Sequence, residues 1–70
     1  MEAKPYLNQL YYIRGILRNR LNYYGEWESI KIMEAAYLDD VSIDDIQYAA
    51  KEVTSWTQFK DAIEQLVAEV

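Results

Sequence analysis

The chain has 70 residues, of which 51% are hydrophobic and seven are Tyr, and its formal net charge is −5. A chain of this length forms a single domain, residues 1–70, because it is too short to bury two separate cores. It contains no Cys and no His, which excludes disulfides, thiolate chemistry and the commonest metal ligands and removes the usual general base. This composition argues against an enzyme, and no residue pattern indicates a cofactor.

The first predicted helix covers residues 5–24 and is the longest periodic stretch of the chain. Apolar residues recur there at steps of three and four, which places Tyr6, Leu10, Ile13, Leu17, Leu21 and Tyr24 on one stripe. Further apolar side chains lie beside that stripe, so this helix has more apolar surface than one packing layer requires. We therefore predict that it is the central helix of the fold and that Tyr12, Ile16 and Tyr23 form an interaction surface.

Two glycines bear on the geometry of this helix. Gly15 lies in its interior, where Gly costs about 1 kcal/mol relative to Ala and sometimes lets a second helix approach closely. Gly25 follows Tyr24 and is well placed to end the helix in a left-handed conformation. We expect the chain to turn there into the next helix.

The second predicted helix covers residues 26–38. Acidic residues in its first turn suit the helix dipole. Its apolar side consists of Trp27, Ile30, Met33, Tyr37 and Leu38. The connection that follows is short and acidic.

The third and fourth predicted helices, 42–53 and 55–69, carry the clearest local signals. Ser42 is a good N-cap, and Val41 before it can pack on Ile46 as a hydrophobic staple. Ser55 and Gln58 have the spacing of a capping box, which predicts a second helix start. The residues expected to face inward are Ile43, Ile46, Ala49, Ala50 and Val53 in the third helix and Trp56, Phe59, Ile63, Leu66, Val67 and Val70 in the fourth. Tyr48 points away from this set.

The four periodic segments predict an all-α fold. No stretch has a partner with which to form a sheet, and the segments follow one another with only short connections. We therefore expect a compact bundle of four helices.

Charge is distributed unevenly along the chain. Residues 1–24 hold four cations and one acid, a balance of +3, whereas residues 25–70 hold three Lys and eleven acids, a balance of −8. Arg14 and Arg18 form a candidate basic face on the first helix. The candidate acidic surface consists of Asp39, Asp40, Asp44 and Asp45. An EF-hand counted from Asp40 has Asp45 and Lys51 where Gly and Glu are needed, so helix capping explains these acids better than calcium.

The favoured function is a small acidic, non-catalytic protein–protein interaction module: an adaptor, an inhibitor or an assembly subunit of the kind found among bacterial and phage accessory proteins. Its partner is another protein, with a homodimer as one alternative. A second alternative is an inhibitor that imitates nucleic acid through its acidic helices, and a third is nucleic-acid binding through Arg14 and Arg18, which the net negative charge disfavours. No targeting segment or membrane span is evident, so we expect a cytoplasmic protein that does not bind membranes.

Overall fold

The computed structural model describes residues 5–22 and 26–70, together with the side chains of these residues except positions 26 and 27. It contains four helices in this part of the chain: α1 (Pro5–Leu21), α2 (Glu26–Leu38), α3 (Ile43–Glu52) and α4 (Trp56–Glu69). The all-α four-helix prediction is therefore confirmed. The predicted bounds of α2 match the observed ones, and those of the other helices differ by at most three residues.

The helices are arranged as a ring rather than around one central helix. The main contacts join α1 to α2, α2 to α4, α4 to α3 and α3 to α1. Helices α1 and α4 therefore lie diagonally opposite each other, as do α2 and α3. The prediction that α1 is the central helix is wrong, because each helix has two main neighbours. The chain forms two helical hairpins, α1–α2 and α3–α4, packed against each other.

The core is built from the apolar stripes that the sequence predicts. The buried hydrophobic residues are Leu10, Ile13, Leu17, Ile30, Met33, Ala36, Val41, Ile46, Ala49, Ala50, Val53, Phe59 and Ile63. Two predicted core residues are exceptions, because Leu38 and Val70 are each 66% exposed. Leu38 is the last residue of α2, and Val70 follows the last residue of α4. At these helix ends the side chains extend beyond the neighbouring helices and remain in solvent.

The predicted caps are present at both helix starts in the second hairpin. The Ser42 hydroxyl accepts a hydrogen bond from the Asp45 amide at 3.1 Å, and the Ser55 hydroxyl accepts one from the Gln58 amide at 3.1 Å. The returning bond of the second cap differs from a standard capping box, because Gln58 Oε1 accepts from the amide and the hydroxyl of Thr54. Each cap satisfies backbone donors that the first helical turn leaves without helical partners.

Helix α2 ends in a Schellman motif with an aspartate at its left-handed position. Asp40 has φ 75°, its amide donates to the Tyr37 carbonyl at 3.0 Å, and the Val41 amide donates to the Ala36 carbonyl at 3.1 Å. These are the two bonds of this motif, and buried Val41 and Ala36 are the residues that usually pack together in it. The motif turns the chain sharply and delivers Val41 into the core one residue before the N-cap of α3.

Helix α1 ends earlier than predicted. Its last residue is Leu21, and Asn22 takes the left-handed conformation with φ 54°, a conformation that Asn tolerates better than most residues. The predicted residues Tyr23, Tyr24 and Gly25 lie outside the described residues. At Gly15, no heavy atom of the described residues beyond its chain neighbours and the nearby backbone of α1 lies within 4 Å of the position that a Cβ would occupy. Gly15 therefore does not serve a close helix–helix approach in this fold.

Two side-chain contacts tie distant segments together. The Tyr6 ring stacks on the Tyr37 ring with centroids 4.6 Å apart, which joins the start of α1 to the end of α2. Arg20 donates from Nε and Nη2 to the carbonyl of Val53, at 3.2 and 3.1 Å. The first contact closes the α1–α2 hairpin, and the second joins α1 to the end of α3 in the other hairpin.

Candidate functional site

The residues of the predicted interaction surface on α1 differ in their exposure to solvent. The Tyr12 side chain is 63% exposed, whereas Ile16 is half-buried and packs against the core. Tyr23 lies outside the described residues. Ile16 is therefore part of the fold, and Tyr12 is the one member of the predicted set that the described structure leaves largely open to solvent.

The candidate basic face on α1 is engaged within the chain. The Arg14 guanidinium lies over the Tyr11 ring, 5.3 Å from its centroid, a cation–π arrangement. Arg14 has a further interaction besides this one, and Arg18 also has an interaction partner. Together with the bonds from Arg20 to the Val53 carbonyl, these contacts occupy all three arginines of the helix.

The candidate acidic surface lies at the α2–α3 connection. Asp39 and Asp40 are in the turn, Asp44 and Asp45 are in the first turn of α3, and all four are exposed. Asp40 also holds the left-handed position of the Schellman motif, and the Asp45 amide donates to the N-cap. These four carboxylates thus lie close in sequence at one end of the bundle, and two of the residues have structural roles as well.

A groove lies between α3 and α4 at the surface of the described residues, and no pattern in the sequence predicted it. Its volume is about 290 Å³, near the lower end of the roughly 300–1,000 Å³ range of small-molecule sites, and it is open to solvent. Its lining comes from both helices and consists of Asp45, Tyr48, Ala49, Glu52, Val53, Ala62, Gln65, Leu66 and Glu69. We call this feature the α3–α4 groove.

The floor of the α3–α4 groove is apolar. Ala49 belongs to α3 and Val53 is the C-cap of that helix, whereas Ala62 and Leu66 belong to α4. Each pair is spaced by four residues, so its two side chains lie one above the other on the same helix face. Ala62 and Leu66 are only half-buried although they pack against the core. The α3 side of the floor is therefore buried, whereas the α4 side exposes the outer edges of Ala62 and Leu66.

Tyr48 also lines the groove and is 67% exposed, the largest exposed fraction among the exposed large hydrophobic side chains of the described residues. Its ring gives one side of the groove an amphipathic aromatic surface. The one sequence signal for this site was the orientation of Tyr48 away from the inward stripe of α3.

The groove is acidic as well as apolar. Three of its lining residues are carboxylates, Asp45 and Glu52 from α3 and Glu69 from α4, and none of its lining residues is Lys or Arg. Asp45 and Glu52 are seven residues apart, which at about 1.5 Å per residue separates them by about 10 Å along the helix. Negative charge therefore borders the apolar floor on both helices.

A titratable contact lies away from the groove, between α1 and α2. The Tyr6 hydroxyl donates a 2.7 Å hydrogen bond to Oε2 of Glu34. This bond, together with partial desolvation and the negative charge of the Glu34 carboxylate, raises the pKa of Tyr6 above 10.0. The contact joins α1 to α2 within the first hairpin.

Comparisons with protein-family models, curated proteins and solved structures return no match to this chain. A function must therefore be inferred from the groove itself. Among residues 5–22 and 26–70, no group of three or more acidic side chains could hold a metal ion. No helix within the described residues is both long enough and apolar enough to span a membrane.

Proposed function

We propose that this protein is a non-catalytic protein–protein interaction module and that the α3–α4 groove is its binding surface. The observation that carries the proposal is an apolar floor at the protein surface, bordered by an exposed Tyr48 and by three carboxylates. An adaptor, an inhibitor or an assembly subunit would each use such a surface to hold a segment of its partner.

The chemistry of the groove supports binding of a protein segment. Apolar surface rimmed by polar groups is typical of interaction sites, and Tyr is among the residues that contribute most to protein–protein binding. A partner side chain that covers the outer edges of Ala62 and Leu66 would remove apolar surface from water, which is favourable. Tyr48 can pack its ring on the same segment while its hydroxyl remains in water.

The same lining gives little support to catalysis. It offers carboxylates, one amide and one phenol, and the chain has no His or Cys to act as a general base or nucleophile near neutral pH. An open groove also admits water, which weakens the electrostatic interactions on which catalysis depends. A binding role needs only apolar and charged contacts from these residues, whereas a reaction would also need a general base or a nucleophile.

A photo-crosslinking experiment tests this proposal. A benzophenone amino acid is placed at position 48, beside the groove, and in a control protein at Thr57, an exposed α4 position outside the groove. We expect irradiation in lysate of the native host to give a discrete protein adduct from position 48, and we expect Glu52→Lys to reduce that adduct. Equal adducts from both positions, or none from position 48, would contradict the assignment of the groove.

Inhibition by nucleic-acid imitation is a second candidate function, and the exposure of Asp39, Asp40, Asp44 and Asp45 at one end of the bundle favours it. Such an inhibitor would place carboxylates where a basic groove of its target expects phosphates. The two candidates differ in the residues they need, because Asp39 and Asp44 do not line the α3–α4 groove. Reversal of the charges of Asp39 and Asp44 therefore separates the two candidates.

A further inference from the structure

We propose that the segment held in the α3–α4 groove is an amphipathic, cationic α-helix of another protein. This inference rests on the proposed function and specifies the chemistry of the partner. It follows from three properties of the groove: the spacing of its floor, the hydrogen bonding of its walls and the sign of its charge.

The floor has the geometry of a furrow between two helices. Ala49 and Val53 form a row on α3, and Ala62 and Leu66 form a row on α4. Within each row, the two residues are one helical turn apart, about 6 Å at about 1.5 Å per residue. A third helix with apolar residues at steps of three and four presents side chains at the same interval, so its ridge can fill the furrow.

The walls of the groove favour a helix over an extended segment. The residues that line the groove belong to α3, to its C-cap residue Val53, and to α4, so their backbone groups lie in helices and helix ends rather than along the edge of a strand. The Val53 carbonyl at the end of α3 accepts from Arg20. An extended segment would find no sheet edge there, and its own backbone would lose water over an apolar floor without gaining partners, which is costly. A helix avoids this cost because its backbone groups are hydrogen-bonded to one another before it binds.

The charge of the groove selects a cationic partner. Glu52 and Asp45 stand about 10 Å apart along α3 at the axial rise of about 1.5 Å per residue, and Glu69 lies on the α4 side. A helical partner matches this pattern with Lys or Arg at positions i and i+7 beside its apolar stripe. Such a pairing speeds the encounter and sets the register of the bound helix.

A second copy of this chain does not supply such a helix. Among the four helices of the described residues, α1 alone has a positive balance. Its Arg20 is bonded to the Val53 carbonyl, however, and Arg14 and Arg18 have interaction partners. The apolar stripe of α1 is also buried in its own core. The occupant is therefore a segment of a different protein.

Synthetic peptides test the inference directly. The probe is a fluorescent peptide of about 14 residues, about 21 Å as a helix and therefore as long as α4, with Leu at steps of three and four and Lys at i and i+7. A scrambled peptide of identical composition removes the amphipathic pattern, and a third peptide carries Glu in place of Lys. Fluorescence anisotropy gives each affinity at low salt and at about 0.5 M NaCl, where surface charges are strongly screened.

We expect the patterned peptide to bind at least tenfold more tightly than either control peptide and to weaken with salt. Glu52→Lys should weaken binding about five- to tenfold, because it replaces an attraction with a repulsion. The matched control Glu64→Lys makes the same charge change on α4 at an exposed position outside the groove, and it should leave the affinity within about twofold. Circular dichroism verifies that both variants fold.

Two results would overturn the inference. Equal binding of the patterned and scrambled peptides would show that charge alone attracts them, and equal weakening by Glu52→Lys and Glu64→Lys would show that the groove is not the site. Failure here is separable from failure of the proposed function. A crosslink from position 48 to an acidic or extended partner segment would retain the groove as a binding surface while excluding the cationic helix.

Discussion

The Arg20 guanidinium donates two hydrogen bonds to the carbonyl of Val53, 33 residues further along the chain. Val53 is the C-cap of α3, so its carbonyl lies at the negative end of the helix dipole, where a cation is favourable. Arg20 of α1 thus joins the first hairpin to the second.

Removal of this contact should destabilise the fold. Arg20→Ala leaves the Val53 carbonyl without its charged donors, and we expect a loss of about 1–2 kcal/mol, toward the lower end of the range for hydrogen bonds to charged groups because Arg20 is exposed. Urea denaturation measures the change. Arg20→Lys should lose less, because it keeps the charge but not the fork of donors, and Lys51→Ala serves as the control for loss of an exposed cation. An unchanged midpoint for Arg20→Ala would show that the contact contributes nothing.

The Tyr6–Glu34 contact makes stability depend on pH in the alkaline range. Because the folded state raises the pKa of Tyr6 above 10.0, the unfolded chain releases this proton at lower pH than the folded chain does. The contribution is therefore complete below pH 10 and is lost as the pH rises through the folded-state pKa. Tyr6→Phe should be less stable than the wild type at pH 7, and the difference should shrink above pH 10. A constant difference across that range would contradict the assignment.

Asp40 offers a position where Gly should stabilise the protein. Its φ of 75° is costly for a residue with a side chain and costs Gly almost nothing. We expect Asp40→Gly to raise the free energy of unfolding by about 0.5–1 kcal/mol and Asp40→Ala to lower it, since Ala tolerates this conformation less well than Asp. Thermal denaturation distinguishes the two variants. The prediction requires that the two substitutions change the free energy of unfolding in opposite directions.

Gly15 is the converse case, since its backbone is helical. Apart from its chain neighbours and the nearby backbone of α1, no described residue lies within 4 Å of a Cβ built there, so Gly15→Ala should stabilise α1 by about 0.5–1 kcal/mol through helix propensity alone. The midpoint of urea denaturation should rise accordingly. Destabilisation would mean that α1 is packed more tightly at this point than the structure shows.

Charge reversal separates the two candidate functions. The double variant Asp39→Lys, Asp44→Lys changes two exposed carboxylates of the acidic surface and leaves the α3–α4 groove intact. If the groove is the binding surface, we expect the adduct from position 48 to persist in this variant, with at most a modest loss from long-range charge. Its abolition, with the Glu52→Lys adduct retained, would instead favour nucleic-acid imitation.

Local features of this fold were predictable from the sequence, whereas features that depend on how the helices pack against one another were not. Ser42, Ser55 and the stripe of Leu10, Ile13 and Leu17 act within one or two turns, so spacing alone indicates their roles. The groove depends on which edge of α3 and α4 the first hairpin leaves uncovered. No periodicity encodes that edge, and Leu66 therefore looks the same in sequence whether a helix covers it or solvent does.

The division of the chain into two hairpins means that stability and recognition can change independently. Gly15 and the Tyr6–Glu34 pair lie wholly in the first hairpin, whereas Tyr48 and Glu52 lie wholly in the second. Substitutions in α1 and α2 can therefore adjust the lifetime of the folded state while the surface shown to a partner keeps its shape. Arg20 is the exception. Because it donates to the Val53 carbonyl at the end of α3, a substitution at this residue of the first hairpin can change the geometry of the second.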